Sequence, residues 1–100
     1  MENFVELTGF REIDEASMEI IKKLVDNYAK KISTLAKMEN LHITLKPIHE
    51  REKSEKYEVH VNVKDGKKIY SSHTVGRNLL SAVDDVLKKL INELHHMNKK

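Results

Sequence analysis

From Asp14 to Met38 the chain contains neither glycine nor proline, and its apolar residues Ile20/Ile21, Leu24, Tyr28, Ile32 and Leu35 recur at helical spacing. A helix of that length carries a continuous apolar stripe, and some other part of the chain must form the surface that covers it. Asp14 is placed to cap its N-terminus, and the acids Glu15 and Glu19 sit where the helix dipole favours negative charge. The expected helix runs to about Met38.

The covering surface is supplied by segments that alternate with a period of two. Phe4–Thr8 places Val5 and Leu7 on one side before Gly9 ends it. In 40–48, Leu41, Ile43 and Leu45 alternate with His42, Thr44 and Lys46, and Pro47 marks an end or an edge. A charged hairpin loop follows over 49–56. In 57–63, Tyr57, Val59, Val61 and Val63 face inward, with Glu58, His60 and Asn62 outward. Asp65-Gly66 is a tight-turn signal leading into a fourth strand over 68–75. The inward side of that strand is ambiguous, because Ile69 competes with Tyr70 and Ser72. Gly76 breaks it, and Asn78 is placed to cap a second helix. That helix turns Leu79/Leu80, Val83, Val86/Leu87, Leu90, Leu94 and Met97 inward, and its Asp84 and Asp85 fall early with Lys99 and Lys100 at the end. The order β-α-β-β-β-α, with a right-handed first crossover, predicts an α+β fold of two layers: a four-stranded mixed sheet with two helices on one face.

One hundred residues, 39% hydrophobic and 34% charged, fit a single folded domain over 1–100. No apolar run reaches the roughly 20 residues of a membrane span, and no signal-peptide pattern is present. The chain has no cysteine, which excludes disulfides and thiolate metal sites, and the expected location is the cytoplasm. The net charge of +2 conceals an asymmetry: residues 1–19 sum to −5 and the remainder to +7. Such separation points toward a polyanionic partner.

The basic residues recur at helical intervals. Lys23, Asn27, Lys30 and Lys37 fall on one stripe of the first helix, with Lys22 and Lys31 beside it. Lys88, Asn92, His95 and Lys99 form a second stripe, with Lys89 and His96 beside it. Lysine ammonium groups suit phosphates as mobile point charges, and Asn or His can donate to phosphate or ribose oxygens. The competing explanation is the solvated face that any amphipathic helix presents; two matched stripes backed by one sheet weigh against it.

Enzyme chemistry finds little support. There is no G-x-S-x-G, no P-loop and no cysteine nucleophile. Ser71-Ser72-His73 alternates across a strand, and Asp84-Asp85 is accounted for as early-turn helix charge. The six histidines lack the H-x-x-x-H spacing of a helical metal site. His42 and His60, on neighbouring strands, are expected to face each other and to tune surface charge. Neither a metal nor a cofactor is expected, nor a small-molecule substrate.

The segment "DGKKIYSSHTVGRNLLSAVDDVLKKLINEL" resembles the final strand and helix of the ribosome hibernation-promoting factor and ribosome-associated inhibitor family, also called ribosomal subunit interface proteins or protein Y. The family's "DMYxAID-x-LVDKL-x-x-QL" pattern aligns without gaps on Asn78 to Asp84, Val86 to Leu90, and Glu93-Leu94. "VELTG" and "IIKKL" are similar to its opening strand and first helix. The sequence departs from the pattern at Asn78, Leu80 and Asn92, and Lys88 stands where an Asp is usual.

The resemblance implies the same β-α-β-β-β-α order and a protein that binds rRNA of the small ribosomal subunit, blocks mRNA and tRNA access, and stabilises idle ribosomes under stress. Lys23 and Lys89 match basic positions of the family. Ending after the second helix, the chain is similar to short members, expected to be monomeric off the ribosome and without a membrane partner. The candidate RNA-binding residues are therefore Lys22, Lys23, Lys30, Lys37, Lys88, Lys89, Asn92, His95 and Lys99. The alternative is a stand-alone double-stranded-RNA module, which shares the α-β-β-β-α order but usually has a lysine cluster where this chain reads "RNLLSAVDD".

Overall fold

A computed structural model describes residues 4–49 and 55–98. The elements are β1 (Phe4–Thr8), α1 (Glu15–Leu35), β2 (Asn40–His49), β3 (Glu55–Asp65), β4 (Lys68–Gly76) and α2 (Leu79–Asn98). They form one sheet in the order β1-β2-β3-β4, parallel between β1 and β2 and antiparallel elsewhere. The α+β order expected from the sequence is the order observed.

The middle strands carry the core. Leu41, Ile43 and Leu45 of β2 pair with Val63, Val61 and Val59 of β3, and all six are essentially inaccessible to solvent. Against this sheet face α1 buries Ile21, Val25, Tyr28, Ala29 and Ile32, and α2 buries Ala82, Val83, Val86, Leu87, Leu90 and Leu94. Both helices therefore lie on one side. The reverse face holds the alternate residues, among them His42, Thr44, His60 and Asn62, and no described element covers it. Because β4 runs parallel to β1 and each helix returns against its preceding strand, α1 and α2 run in the same direction.

Local chemistry sets the boundaries. The Ser17 amide donates to Asp14 Oδ2 at 3.0 Å, and the Ser81 amide donates to Asn78 Oδ1 at 2.9 Å, so both expected caps form. Bonding from the Ser17 backbone holds the Asp14 carboxyl below its ordinary pKa. At the other end α1 stops at Leu35, earlier than its composition suggests. Ala36 turns extended (φ −151°, ψ 158°) with its amide still on the Ile32 carbonyl, Met38 enters the core, and the Glu39 amide joins the Lys64 carbonyl. The pull is tertiary: the chain must reach the start of β2.

Two further expectations are corrected and one ambiguity is resolved. Ile20 is 53% exposed, because the buried stripe passes through Ile21 and Val25. In β4 the inward residues are Tyr70, Ser72 and Thr74, whereas Ile69 is 66% exposed on the open face. The loop expected over 49–56 is shorter, since β2 reaches His49 and β3 begins at Glu55; residues 50–54 lie outside the described set. Met97 was expected inward, but its side chain also lies outside that set.

Gly9 shows how tightly β1 is joined to the sheet. Its φ is +87°, and a Cβ built there would collide with the Leu45 carbonyl oxygen. Gly66 also has positive φ (+60°) but nothing stands within 4 Å of its would-be Cβ. Gly9→Ala is expected to destabilise by at least about 2 kcal/mol, and Gly66→Ala by only about 1 kcal/mol, the cost of the left-handed conformation alone. Urea unfolding midpoints of the two variants check this ordering.

Candidate nucleic-acid interface

The outer surface of the helix layer is built from residues opposite the buried stripes. On α1, Lys23 and Lys30 are seven residues apart and exposed, and Asn27 lies between them. Lys22 points elsewhere: with Val5, Leu7, Val25 and Asp26 it lines a shallow depression at the β1 margin. Lys37 is exposed but stands beyond the end of α1, in the connection to β2, and is not part of the helical stripe.

On α2, Lys88, Asn92 and His95 are exposed along one side. Lys89 turns toward the other sheet margin, where its Nζ donates to the His73 carbonyl of β4 at 3.4 Å. Lys22 and Lys89 thus mark opposite edges of the sheet, with Lys23, Lys30 and Lys88 between them. Lys99 lies outside the described residues.

One contact joins the two helices by polar chemistry. The Tyr28 hydroxyl donates to Asp84 Oδ1 at 2.6 Å, bridging α1 and α2. Asp84 Oδ2 lies 3.1 Å from Lys88 Nζ one turn along α2, and Lys31 Nζ sits 5.3 Å from the centre of the Tyr28 ring. The Tyr28 bond, reinforced by Lys88 and the charge of Lys31, holds the Asp84 carboxyl below its ordinary pKa against a smaller opposing effect of burial. Burial first, and then Asp84, pushes the Tyr28 hydroxyl up to about 12. The two helices run parallel, so Lys31 and Lys88 both lie on the C-terminal side of this bridge.

Asp84 is therefore more than an early-turn acid. The sequence held the signal in outline: a tyrosine on a buried stripe must place its hydroxyl somewhere. Nothing in the spacing identified its partner 56 residues away.

The open sheet face has its own polar order. Thr8 Oγ1 and His42 Nε2 are 2.7 Å apart, the Asn40 amide donates to Glu6 at 3.1 Å, and the Ser71 hydroxyl donates to Asn62 at 2.6 Å. His60 does not face His42. The register places it between Thr44 and His73, and it stacks on His73 with ring centres 5.4 Å apart. Its Nε2 is 3.0 Å from Glu58 Oε2, out of line for a good hydrogen bond. Among the described residues no three His, Cys, Asp or Glu side chains form a group suited to a metal ion. No described helix is long and apolar enough to cross a membrane.

Residues 12–100 match the family described as sigma 54 modulation protein / S30EA ribosomal protein. The chain belongs to that family. The family is ribosome-associated, as the sequence resemblance implies. Among solved structures, a ribosomal subunit interface protein from Coxiella burnetii is similar over 99% of this chain and all of its own, with a TM-score of 0.68 at 18% identity. The N-terminal domain of Protein Y from Thermus thermophilus is similar over 98% of this chain and all of its own, with a TM-score of 0.62 at 13% identity. At these identities the likeness is one of fold. The search of curated proteins finds no match.

The bridge between the helices makes a pH-dependent contribution. Tyr28→Phe removes a donor to a carboxylate and is expected to cost about 1–2 kcal/mol at neutral pH. The Tyr28 share is fully present below the unfolded tyrosine pKa near 10 and is lost as pH rises to about 12. The Asp84 share is present above about 4 and is lost as pH falls through the depressed native value. Denaturation of both proteins from pH 2 to 12 should therefore show their difference largest between about 4 and 10.

Proposed function

We propose that this chain docks on rRNA of the small ribosomal subunit through the lysines of its helix layer and, while bound, excludes mRNA and tRNA. The observation that carries the reading is the placement of exposed Lys23 and Lys30 on the outer side of α1, with Lys31 over the Tyr28 ring and Lys88 beside Asp84 where the helices are bridged. Two elements thus offer cations on one side of a domain whose family is ribosome-associated.

A flexible ammonium suits an irregular track of phosphates, because each lysine adjusts its reach independently. Asn27 and Asn92, exposed on the same sides, supply donors for ribose or phosphate oxygens. Lys22 and Lys89 extend the positive surface to the two margins, Lys37 and His95 toward its C-terminal end, and Lys99 follows His95 by four residues in the sequence. Residues 1–100 then act as one RNA-binding domain in the cytoplasm, where ribosomes are. Inhibition requires no chemistry at the site: a folded body held by many weak phosphate contacts blocks the path of other RNAs. The similar protein named for the ribosomal subunit interface favours the same partner.

Lys23→Glu/Lys30→Glu is expected to lower small-subunit affinity by more than about tenfold while leaving thermal unfolding nearly unchanged. Replacing Lys23 or Lys30 singly by alanine should reduce the slope of log K against log salt by about 0.7–0.9. Co-sedimentation with purified subunits over a range of salt measures both. Wild-type retention by the double variant rejects the helix face as the docking surface.

A further inference from the structure

The lysines at the helix seam are not all free to meet an external anion. Asp84 divides its carboxylate between two tasks: Oδ1 is fixed by the Tyr28 hydroxyl at 2.6 Å, and Oδ2 faces Lys88 Nζ at 3.1 Å. The charge of Lys31, lying over the Tyr28 ring, acts on the same carboxylate. The anchored partner and the mobile partner differ. Tyr28 is buried, so Asp84 cannot swing away with it, whereas the Lys88 side chain is 63% exposed and can. Carboxylate and phosphate oxygens compete for the same ammonium hydrogens.

We propose that Asp84 is a built-in counter-anion of the RNA-facing surface: it holds Lys88 in the free protein and releases it to a backbone phosphate on docking. The inference rests on the ribosomal reading above. It makes Asp84 a residue that limits affinity, and Lys88 a cation whose contribution is largely cancelled by its own neighbour. Binding is thereby kept weaker and less salt-sensitive than the lysine content alone would give, which suits a factor that must leave its subunit again.

Asp84→Asn tests this, because the amide oxygen still accepts from Tyr28 while the charge is gone. Asp85→Asn is the control: it removes the same charge from the adjacent, exposed position. Asp84→Asn should bind purified small subunits roughly three- to tenfold more tightly than Asp85→Asn, with a salt slope steeper by about 0.7–0.9. The gain should vanish in Asp84→Asn/Lys88→Ala. Lys88→Ala alone should alter the slope far less than Lys23→Ala; a full lysine's change overturns the proposal even if Asp84→Asn fails to fold. Equal or weaker binding by folded Asp84→Asn overturns it too, as does a gain that survives loss of Lys88. Elution from a heparin column keeps the two readings apart. Asp84→Asn should elute at higher salt than Asp85→Asn whether or not the subunit is the partner, and identical elution rejects the counter-anion. Failure of the wild type to bind subunits rejects the ribosomal reading alone.

Discussion

Six aliphatic side chains on β2 and β3 hold this molecule together. Leu41, Ile43 and Leu45 stand opposite Val63, Val61 and Val59, and α1 and α2 both rest on the sheet face they create. A helix placed on the other face would meet histidine, threonine and asparagine instead. Every feature of the outer surface follows from that choice. With both apolar stripes turned to the same sheet, the polar sides of both helices are turned to the same solvent.

The element order was legible because the apolar period changes where the structure changes. What stayed hidden depends on distant partners. Ala36 and Lys37 extend a helical composition with no glycine or proline to stop it, and α1 ends only because Met38 is drawn inward and Glu39 pairs with Lys64. The facing of β4 could not be read from alternating Ile69 and Tyr70, since this edge strand leaves both Ile69 and Val75 exposed. His60 meets His73 because the turn after Asp65 fixes the β3–β4 register, while the β2–β3 register puts Thr44, not His42, opposite His60. Candidate cations were legible as residues, but their directions were not. Lys22 and Lys89 diverge to opposite margins, and Lys88 meets an acid on its own helix.

The seam between the helices combines stability and charge in one place. Tyr28 needs a partner because it is buried, and Asp84 supplies one at the level of α1's second half and the first turns of α2. Since the helices run parallel, this bond joins apolar packing in fixing how far α2 is displaced along α1, and so how the lysines of one helix are spaced against those of the other. A change at Tyr28 would be felt both in unfolding and in the layout of the cationic surface.

The sheet face that no described element covers is chemically suited to water. Its polar groups engage one another sideways, Thr8 with His42, Glu6 with Asn40, and Asn62 with Ser71, while the His60 and His73 rings shield each other. A face built from such polar side chains meets water without needing a roof. Among the described residues two tiers thus suffice, held by the buried interface between sheet and helices.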